Sequence, residues 1–455
     1  MQVEKNNFNL LSATASVLYL LLLIPFLQPG YGVEEDSWGL VVNAYEMQQT
    51  GVYHASRLPG HPLHEYLLCA LYPTQAFMYN FVSAIFAAAS LFVAAHFFRR
   101  AKVQHPLLAA IAMSFIPVVF ISGTYTIDYS MSLFFILCTW YFAVCDKYLF
   151  AGIMLACAVG TRITNMYIIM PLFVYLYIHQ SALKKYVLLA SVSGLLSIVF
   201  YMPVFLQYGK SFFDYSDQFP YPNFPKLMYK STLGVFGVLG ISALLIFSLM
   251  SKKLNLKNNL HIILSIVICV LAYLRLPQKS AYLIPMLPFV MMLFSEMLSE
   301  TKYMLFCVMM MLSGWCLGIA LVDSERGSLH ASEHSMEVQG QHIALSTFRG
   351  NILLDKDKRI TKEKYLVDVL SSCDTLQQKT AIISGWWYNM LLVKAYEKPV
   401  NTNAHFVFYC DEDSLQKLSY KHYKNYYLEE QEVYNDLMFQ QEFTKKYAAP
   451  FKDSR

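Results

Sequence analysis

Charged residues are scarce in this chain of 455 residues: they make up 15% of it, whereas hydrophobic residues make up 56%. Ordinary soluble domains contain about 25% charged residues, so the composition argues against a purely soluble protein. The apolar residues fall in runs long enough to cross a bilayer, which takes roughly 20 residues per helix. The sequence therefore predicts an α-helical polytopic membrane protein.

Nucleotide-binding loops are also absent. The sequence contains neither G-x-x-x-x-G-K-S/T nor G-x-G-x-x-G, which argues against direct use of a nucleotide. The net charge is only +4, and the basic excess lies in loops between the apolar runs. Nucleic acid is therefore not expected as a partner, whereas membrane lipids are.

About eleven apolar spans are predicted. They lie near residues 9–27, 76–98, 104–122, 126–145, 148–160, 163–179, 184–207, 232–250, 259–275, 279–298 and 303–322. Lysine and arginine accumulate in alternate loops, which marks those loops as cytoplasmic. We therefore expect a cytoplasmic N-terminus, with the first outer loop (28–75) and the C-terminal tail on the periplasmic or extracellular side. The expected location is the inner (plasma) membrane of a bacterium.

The tail, residues 323–455, differs in composition from the membrane part, residues 1–322. It contains 17 Lys and Arg against 19 Asp and Glu, and it is long enough for a small domain. Apolar runs and helical spacing predict a small α/β unit with strands at Asn351–Leu354, Thr380–Ser384 and His405–Tyr409 and helices at Thr361–Leu370 and Asp413–Lys421. Whether Cys373 and Cys410 form a disulfide is left open.

The first outer loop opens with the acidic run Glu34-Glu35-Asp36. A helix is predicted over Trp38–Gln49, ended by Gly51 as a C-cap glycine would end it. Asp36 is a candidate catalytic base, and three consecutive acids exceed what capping needs. The alternative is that Asp36 caps the helix, a common use of Asp.

A second acid, Asp128, opens a strongly apolar helix on the same predicted face. An ionisable group at the edge of a membrane span is costly unless it is paired or functional, although an N-cap is again the simpler alternative. With two acids, one can act as a base while the other positions the acceptor, a metal or a basic partner.

Four basic residues share this predicted face: Arg57, Arg162, Arg275 and Lys279. Guanidinium and ammonium groups stabilise the charge that builds on a departing phosphate. They are therefore candidate donor-phosphate ligands, although each could instead be an interface anchor that reaches lipid headgroups.

Five further residues are candidate substrate contacts: Glu35, His61, His64, Glu65 and Tyr282. The two histidines and Glu65 could also suggest a metal site. Two histidines three residues apart on a loop are weak evidence for one, so no metal ligand is assigned.

Four motifs in this order resemble the GT-C superfamily of membrane glycosyltransferases, in particular family 39 protein mannosyltransferases and bacterial transferases that modify lipid A with aminoarabinose. They are the spacing from Asp36 to Gly51, the run Ser56-Arg57-Leu58-Pro59-Gly60-His61-Pro62, the Asp128 helix with Gly160-Thr161-Arg162, and Tyr282-Leu283-Ile284-Pro285. The resemblance covers about residues 1–300. One departure is Ser37, which stands where the family has its second acid, so a two-acid metal site in this loop is doubtful.

The resemblance implies a GT-C-like fold and a glycosyltransferase that moves a sugar from a polyprenyl-phosphate donor to a protein, lipid or glycan acceptor outside the cytoplasm. Asp36 would be the base and the reaction would invert the anomeric centre. No cofactor is required, with a divalent metal left open. The alternatives are a lipid-linked sugar flippase or transporter, for which repeated halves and mid-span charges are expected, and a polysaccharide ligase or polymerase.

Overall fold

A computed structural model describes residues 2–213, 232–234, 237–242, 255–275, 279–322, 334–338, 341–347, 349–385, 387–408 and 424–427. The side chain of Arg275, the residue Cys410 and the predicted helix Asp413–Lys421 lie outside this described part.

The described part is mostly helical. Its helices are α1 (Gln2–Leu23), α2 (Glu35–Thr50), α3 (Pro62–Leu71), α4 (Ala76–Arg100), α5 (Pro106–Ser114), α6 (Pro117–Ser122), α7 (Tyr129–Val144), α8 (Tyr148–Thr161), α9 (Ile169–Ile178), α10 (Leu183–Tyr208), α11 (Leu260–Arg275), α12 (Leu287–Met297), α13 (Glu300–Leu312), α14 (Asn351–Asp374) and α15 (Tyr388–Glu397). The 3₁₀ segments are Ile24–Phe26, Ile163–Ile168, Gly209–Phe213 and Ser280–Met286. The strands are β1 (Leu317–Val322), β2 (His334–Val338), β3 (Gln341–Thr347), β4 (Thr380–Ser384), β5 (Ala404–Phe408) and β6 (Lys424–Tyr427).

Several helices have the length and hydropathy of membrane spans. Within the described part of the chain, four stretches qualify on both criteria: Asn6–Phe26, Ala76–Arg100, Leu183–Phe212 and Ser280–Met297. Shorter apolar helices cover Tyr129–Val144, Tyr148–Thr161, Ile163–Ile178 and Leu260–Leu274. Helices α1, α4, α7, α8 and α10 pack side by side in that order. Lipid-facing helices need an apolar outer surface, and exposed leucines such as Leu10 and Leu195 supply it. The chain is thus a multi-pass membrane protein.

The predicted span 104–122 is interrupted in the structure. It forms α5 and α6, separated at Phe115 and Ile116, because Pro117 cannot donate the hydrogen bond that would continue α5. Tyr19 of α1 donates from its hydroxyl to the carbonyl of Ser114 at 2.8 Å and so satisfies a carbonyl at the end of α5.

The last predicted span, 303–322, is only partly a helix. Helix α13 ends at Leu312, and residues 317–322 form strand β1, which pairs antiparallel with β3. The backbone of Gly314 hydrogen-bonds to Ile352 of α14 and thereby leaves the helical path. The β-branched Ile319 and Val322 then favour a strand. The prediction of a helix to residue 322 was wrong.

The C-terminal part combines helices with two small sheets. Strand β4 lies between β5 and β6, parallel to both, and its five residues are all buried, as is typical of parallel sheets. The predicted strands Thr380–Ser384 and His405–Tyr409 are confirmed in their described parts. The predicted strand Asn351–Leu354 is wrong, because this short apolar run is the first turn of the 24-residue α14. Short apolar runs do not distinguish strand from helix.

Helices α14 and α15 pack directly on the segment 28–75. Trp38 of α2, Leu366 of α14 and Trp387, which directly precedes α15, are buried in one hydrophobic cluster. Arg359 of α14 is 2% exposed and donates to the carbonyl oxygens of Phe26 (2.8 Å), Pro29 (2.7 Å) and Gly30 (3.0 Å). The C-terminal part therefore fixes the position of the segment that leads from α1 into α2.

Candidate active site

Asp36 lies in the first turn of α2. The helix starts after Glu34, which is extended, and ends at Gly51, whose φ of 66° is the left-handed conformation that glycine adopts at low cost. The predicted helix is confirmed, but Asp36 is not its N-cap. Its carboxylate instead contacts the guanidinium of Arg57 and the ammonium of Lys279.

The turn that carries Arg57 is organised by one buried carboxylate. Glu65, 1% exposed, accepts from the amide and hydroxyl of Ser56 (2.8 and 2.7 Å), from the amide of His61 (3.0 Å) and from the hydroxyl of Tyr53. Four donors occupy both oxygens of Glu65. This geometry favours a positioning role over the substrate contact expected from the sequence.

Arg57 stands at the centre of the site. Its Nη1 contacts Asp36, its Nη2 lies 3.8 Å from Oδ1 of Asp128, and its Nε donates to Nε2 of His61 at 3.0 Å. One guanidinium thus joins the two carboxylates that the sequence singled out, and its planar fork suits such multiple contacts.

His61 is held as a neutral imidazole. Its Nδ1 lies 2.9 Å from the carbonyl oxygen of Thr161 and donates to it, so Nε2 is left as the acceptor for Arg57. Burial lowers the pKa of His61 to about 3, against the opposing attraction of Asp128. The hydrogen bonds of both ring nitrogens therefore favour the neutral tautomer with its proton on Nδ1.

Asp128 lies at the start of α7 and is fully buried. It occupies the N-cap position without making a side-chain capping bond, and its Oδ2 accepts instead from Nη1 of Arg162 at 2.8 Å. Arg162 is extended at the end of α8, with its guanidinium carbon 4.5 Å from the ring centroid of Tyr129 and 4.9 Å from that of Tyr282. These cation–π contacts hold the guanidinium in a fixed plane.

Lys279 connects the site to the segment after α11. Its Nζ contacts Asp36 and lies 2.9 Å from Oε2 of Glu34. Burial opposes ionisation of Glu34, but the charges of Lys279 and Arg57 outweigh it and hold the pKa of Glu34 below its ordinary value. Three cations and three carboxylates thus lie within one cluster, and their charges balance.

The structure brings together seven of the residues chosen from the sequence. These are Asp36, Arg57, His61, Asp128, Arg162, Lys279 and Tyr282. Glu35 instead accepts from the side-chain amide of Asn389 on α15 at 3.1 Å. Arg275 ends α11, but its side chain lies outside the described part.

His64 lies beneath the site. It is 1% exposed, its Nδ1 has no hydrogen-bond partner among the described residues, and burial lowers its pKa to about 4. Glu34 and Tyr129 also belong to the cluster and were not proposed as site residues. Both residues are next to features that the sequence analysis singled out. Glu34 begins the acidic run, and Tyr129 follows Asp128 directly. Within the described ranges, no group of three or more His, Cys, Asp or Glu is placed to hold a metal ion.

Comparison with known proteins gives a structural relative but no sequence relative. No family model and no curated protein sequence matches the chain. The crystal structure of ArnT from Cupriavidus metallidurans bound to undecaprenyl phosphate aligns with a TM-score of 0.54, at 10% identity, over 91% of this chain and 89% of that chain. The apo structure aligns with a TM-score of 0.47, at 12% identity, over 62% of this chain and 58% of that chain. This chain has a GT-C-like fold.

Proposed function

We propose that this protein is a glycosyltransferase that moves a sugar from a polyprenyl-phosphate donor to an acceptor at the non-cytoplasmic face of the membrane. The GT-C-like fold supports the reaction class, and ArnT, which shares the fold, has been crystallised with undecaprenyl phosphate. The observation that carries the proposal is the contact of Asp36 with both Arg57 and Lys279 at the mouth of the helix bundle.

The three cations would hold the phosphate of the donor. Arg57 and Lys279 have partly exposed side chains, 28% and 20%, whereas Arg162 is 11% exposed and held between two tyrosines. A phosphate that enters between Arg57 and Lys279 competes with Asp36 for both cations, because phosphates and carboxylates both accept charge-assisted hydrogen bonds from guanidinium and ammonium groups. Donor binding would thereby release the carboxylate of Asp36.

The released carboxylate would act as the general base. The acceptor hydroxyl oxygen forms a bond to the anomeric carbon while the bond from that carbon to the phosphate oxygen breaks and its electron pair leaves with the phosphate. The hydroxyl proton passes to Asp36. The transition state is oxocarbenium-like, and Arg57 and Lys279 stabilise the charge gained by the phosphate. A single displacement inverts the anomeric centre.

Asp128 has a different task in this mechanism. It is fully buried and paired with Arg162 at 2.8 Å, so it holds the guanidinium in place rather than reaching the acceptor. His61 holds Arg57 in the same way. The mechanism routes no step through a cofactor or a metal, and the acceptor class stays open between protein, lipid and glycan.

The proposed topology follows the distribution of positive charge. About eleven spans within residues 1–322 would place the site on the periplasmic face of the inner membrane, with residues 323–455 forming a domain on the same face. The packing of α14 and α15 on α2 supports this arrangement, since α2 carries Asp36.

The test uses full-length protein in nanodiscs with a panel of polyprenyl-phosphate sugars and an envelope extract as the acceptor source. Release of free polyprenyl phosphate is followed for wild type, for Asp36→Asn and for the control Asp146→Asn, an acid paired with Lys185 and 72% exposed. We expect release by wild type and the control but at least a hundredfold less by Asp36→Asn, of the order lost with a catalytic group. Equal release by Asp36→Asn would overturn the base assignment. If no donor releases polyprenyl phosphate and the protein instead moves lipid across the membrane, the protein is a flippase and not a transferase.

A further inference from the structure

A cavity of about 420 Å³ lies at the end of the helix bundle opposite Asp36 and Asp128. Its walls come from the ends of α4, α7, α9 and α12 and from the beginning of α11. Trp140 in its floor is twelve residues beyond Asp128 on α7, or roughly 18 Å along a helix that rises 1.5 Å per residue. The cavity is therefore separate from the candidate active site, and its volume lies in the range of ligand pockets, about 300–1,000 Å³.

The floor of the cavity carries buried nitrogen atoms without partners. Trp140 is 1% exposed, and its Nε1–H has no hydrogen-bond acceptor among the described residues. The same holds for Nδ1 of His261, whose ring lies 6.0 Å from that of Trp140. An indole N–H is only a donor, and leaving a buried donor unpaired costs about 1–3 kcal/mol. The floor is thus suited to a ligand that supplies an acceptor oxygen.

The rim of the cavity has an excess of positive charge. Arg100 and Lys102 line it together with a single acid, Glu296, and all three are exposed. The first turn of α11 also borders the cavity through His261. The N-terminus of a helix favours an anion through its dipole and its free N–H groups. A negatively charged ligand is therefore favoured by the rim, by the floor and by the helix terminus.

We propose that this cavity binds the anionic phosphate headgroup of a membrane lipid. Acceptor oxygens of the phosphate would meet the Nε1–H of Trp140, and the negative charge would lie between Arg100 and Lys102. Basic pockets between membrane helices bind anionic headgroups in this manner. The cavity opens where exposed Arg100 ends α4, at the level expected for headgroups of the leaflet facing away from Asp36. This proposal does not depend on the transferase reaction.

The experiment measures lipid binding to delipidated full-length protein in detergent by native mass spectrometry. The probes are phosphatidylglycerol, zwitterionic phosphatidylcholine and inorganic phosphate as a competitor. We expect phosphatidylglycerol to bind about tenfold more tightly than phosphatidylcholine. Both lipids carry the phosphodiester, but the quaternary ammonium of phosphatidylcholine would lie against Arg100 and Lys102 and be repelled by them. Equal binding of the two lipids would overturn the proposal.

Two variants address the two parts of the cavity. Trp140→Phe keeps an aromatic ring but removes the donor, and Arg100→Gln removes a rim charge; each is expected to weaken phosphatidylglycerol binding about tenfold. The matched controls are Trp315→Phe and Lys184→Gln, which lie outside the cavity lining. Unchanged affinity in both cavity variants would overturn the proposal even if the protein binds lipid elsewhere. If inorganic phosphate binds as tightly as the lipid, the cavity is a phosphate site, and the proposal that its ligand is a lipid headgroup is overturned.

Discussion

Nε of Arg57 donates a hydrogen bond to Nε2 of His61 across 3.0 Å. His61 can accept it only because its other ring nitrogen donates to the carbonyl of Thr161 at 2.9 Å. The chain from Thr161 through His61 to Arg57 thus directs the two terminal nitrogens of Arg57 toward Asp36 and Asp128. A neutral histidine orients a cation here, as second-layer partners orient the ligands of a metal.

Replacing Arg57 by lysine should abolish most of the activity although the charge is kept. A lysine carries its three donors on a single nitrogen, so it cannot reach the separate positions from which the three guanidinium nitrogens contact Asp36, Asp128 and His61. We expect Arg57→Lys to lower kcat/KM by about 10²–10³-fold, the loss typical of removing one donor that stabilises transition-state charge. The measurement is release of polyprenyl phosphate at several donor concentrations.

The control for this change is Arg349→Lys. Arg349 pairs with Asp357 at 2.6 Å on a surface where both side chains are about a third exposed, and it should leave kcat/KM unchanged. Full activity of Arg57→Lys would show that only the charge at this position matters and would contradict the multiple-contact role.

Removing the charge of Asp128 should destabilise the protein more than removing that of Asp146. Asp128→Asn leaves the buried guanidinium of Arg162 without its carboxylate, and breaking a buried pair in this way costs about 3–5 kcal/mol. Asp146 forms an exposed pair with Lys185, and such pairs contribute about 0–1 kcal/mol. Thermal unfolding in detergent compares the two variants, and equal shifts in Tm would contradict the structural role of Asp128.

Stability should fall as the pH drops below about 6.5, and His61 should contribute to the fall. Burial lowers the pKa of His61 from 6.5 to about 3, while Asp128 raises it and Arg57 and Arg162 lower it. Between these values the unfolded state binds a proton that the native state does not, so the stability is present above pH 6.5 and is lost as the pH falls. The slope for one such group approaches about 1.4 kcal/mol per pH unit.

His61→Asn provides the comparison for this pH dependence. An asparagine does not titrate, and its amide nitrogen can still donate to the carbonyl of Thr161 from the position of Nδ1. The Tm of this variant should fall less steeply than that of wild type between pH 6.5 and pH 4. The remaining slope comes from other groups whose pKa is lowered in the native state. Among them are His64, whose pKa burial lowers to about 4, and Glu34, whose pKa Lys279 and Arg57 lower against the effect of burial. If the Tm of wild type and of His61→Asn falls equally steeply with pH, protonation of His61 does not contribute to the loss of stability.

The sequence predicted which residues lie together better than it predicted the contacts between them. Asp36, Asp128 and the cations could be found because acids and arginines at the ends of apolar runs are costly and therefore stand out. The pairing of Arg57 with His61 could not be found, since it depends on the carbonyl of Thr161, one hundred positions along the chain. Every residue carries a backbone carbonyl, so the identity of residue 161 does not indicate that its carbonyl accepts this hydrogen bond.

Helix boundaries in the last third of the chain were predicted less well for a related reason. The run after Leu312 is as apolar as the spans before it, so hydropathy extends the helix through β1. Strand pairing of β1 with β3 decides the conformation instead, and propensity gives way to such tertiary contacts. The buried Arg359 was missed because a charged residue within a polar helix gives no hydrophobic signal.

Arg359 should be required for the C-terminal part to stay in place on the segment 28–75. Its guanidinium donates to the carbonyls of Phe26, Pro29 and Gly30, and each carbonyl left buried without a donor costs about 1–3 kcal/mol. Arg359→Gln should therefore lower Tm, and limited proteolysis should cut before α14 at lower protease concentration than in wild type. Activity should fall as well, because the same segment leads into α2 and Asp36. The control is Lys364→Gln, an exposed position on the same helix. A variant at Arg359 with wild-type Tm and protease resistance would show that the packing of Trp38 against Leu366 and Trp387 alone holds the C-terminal part in place.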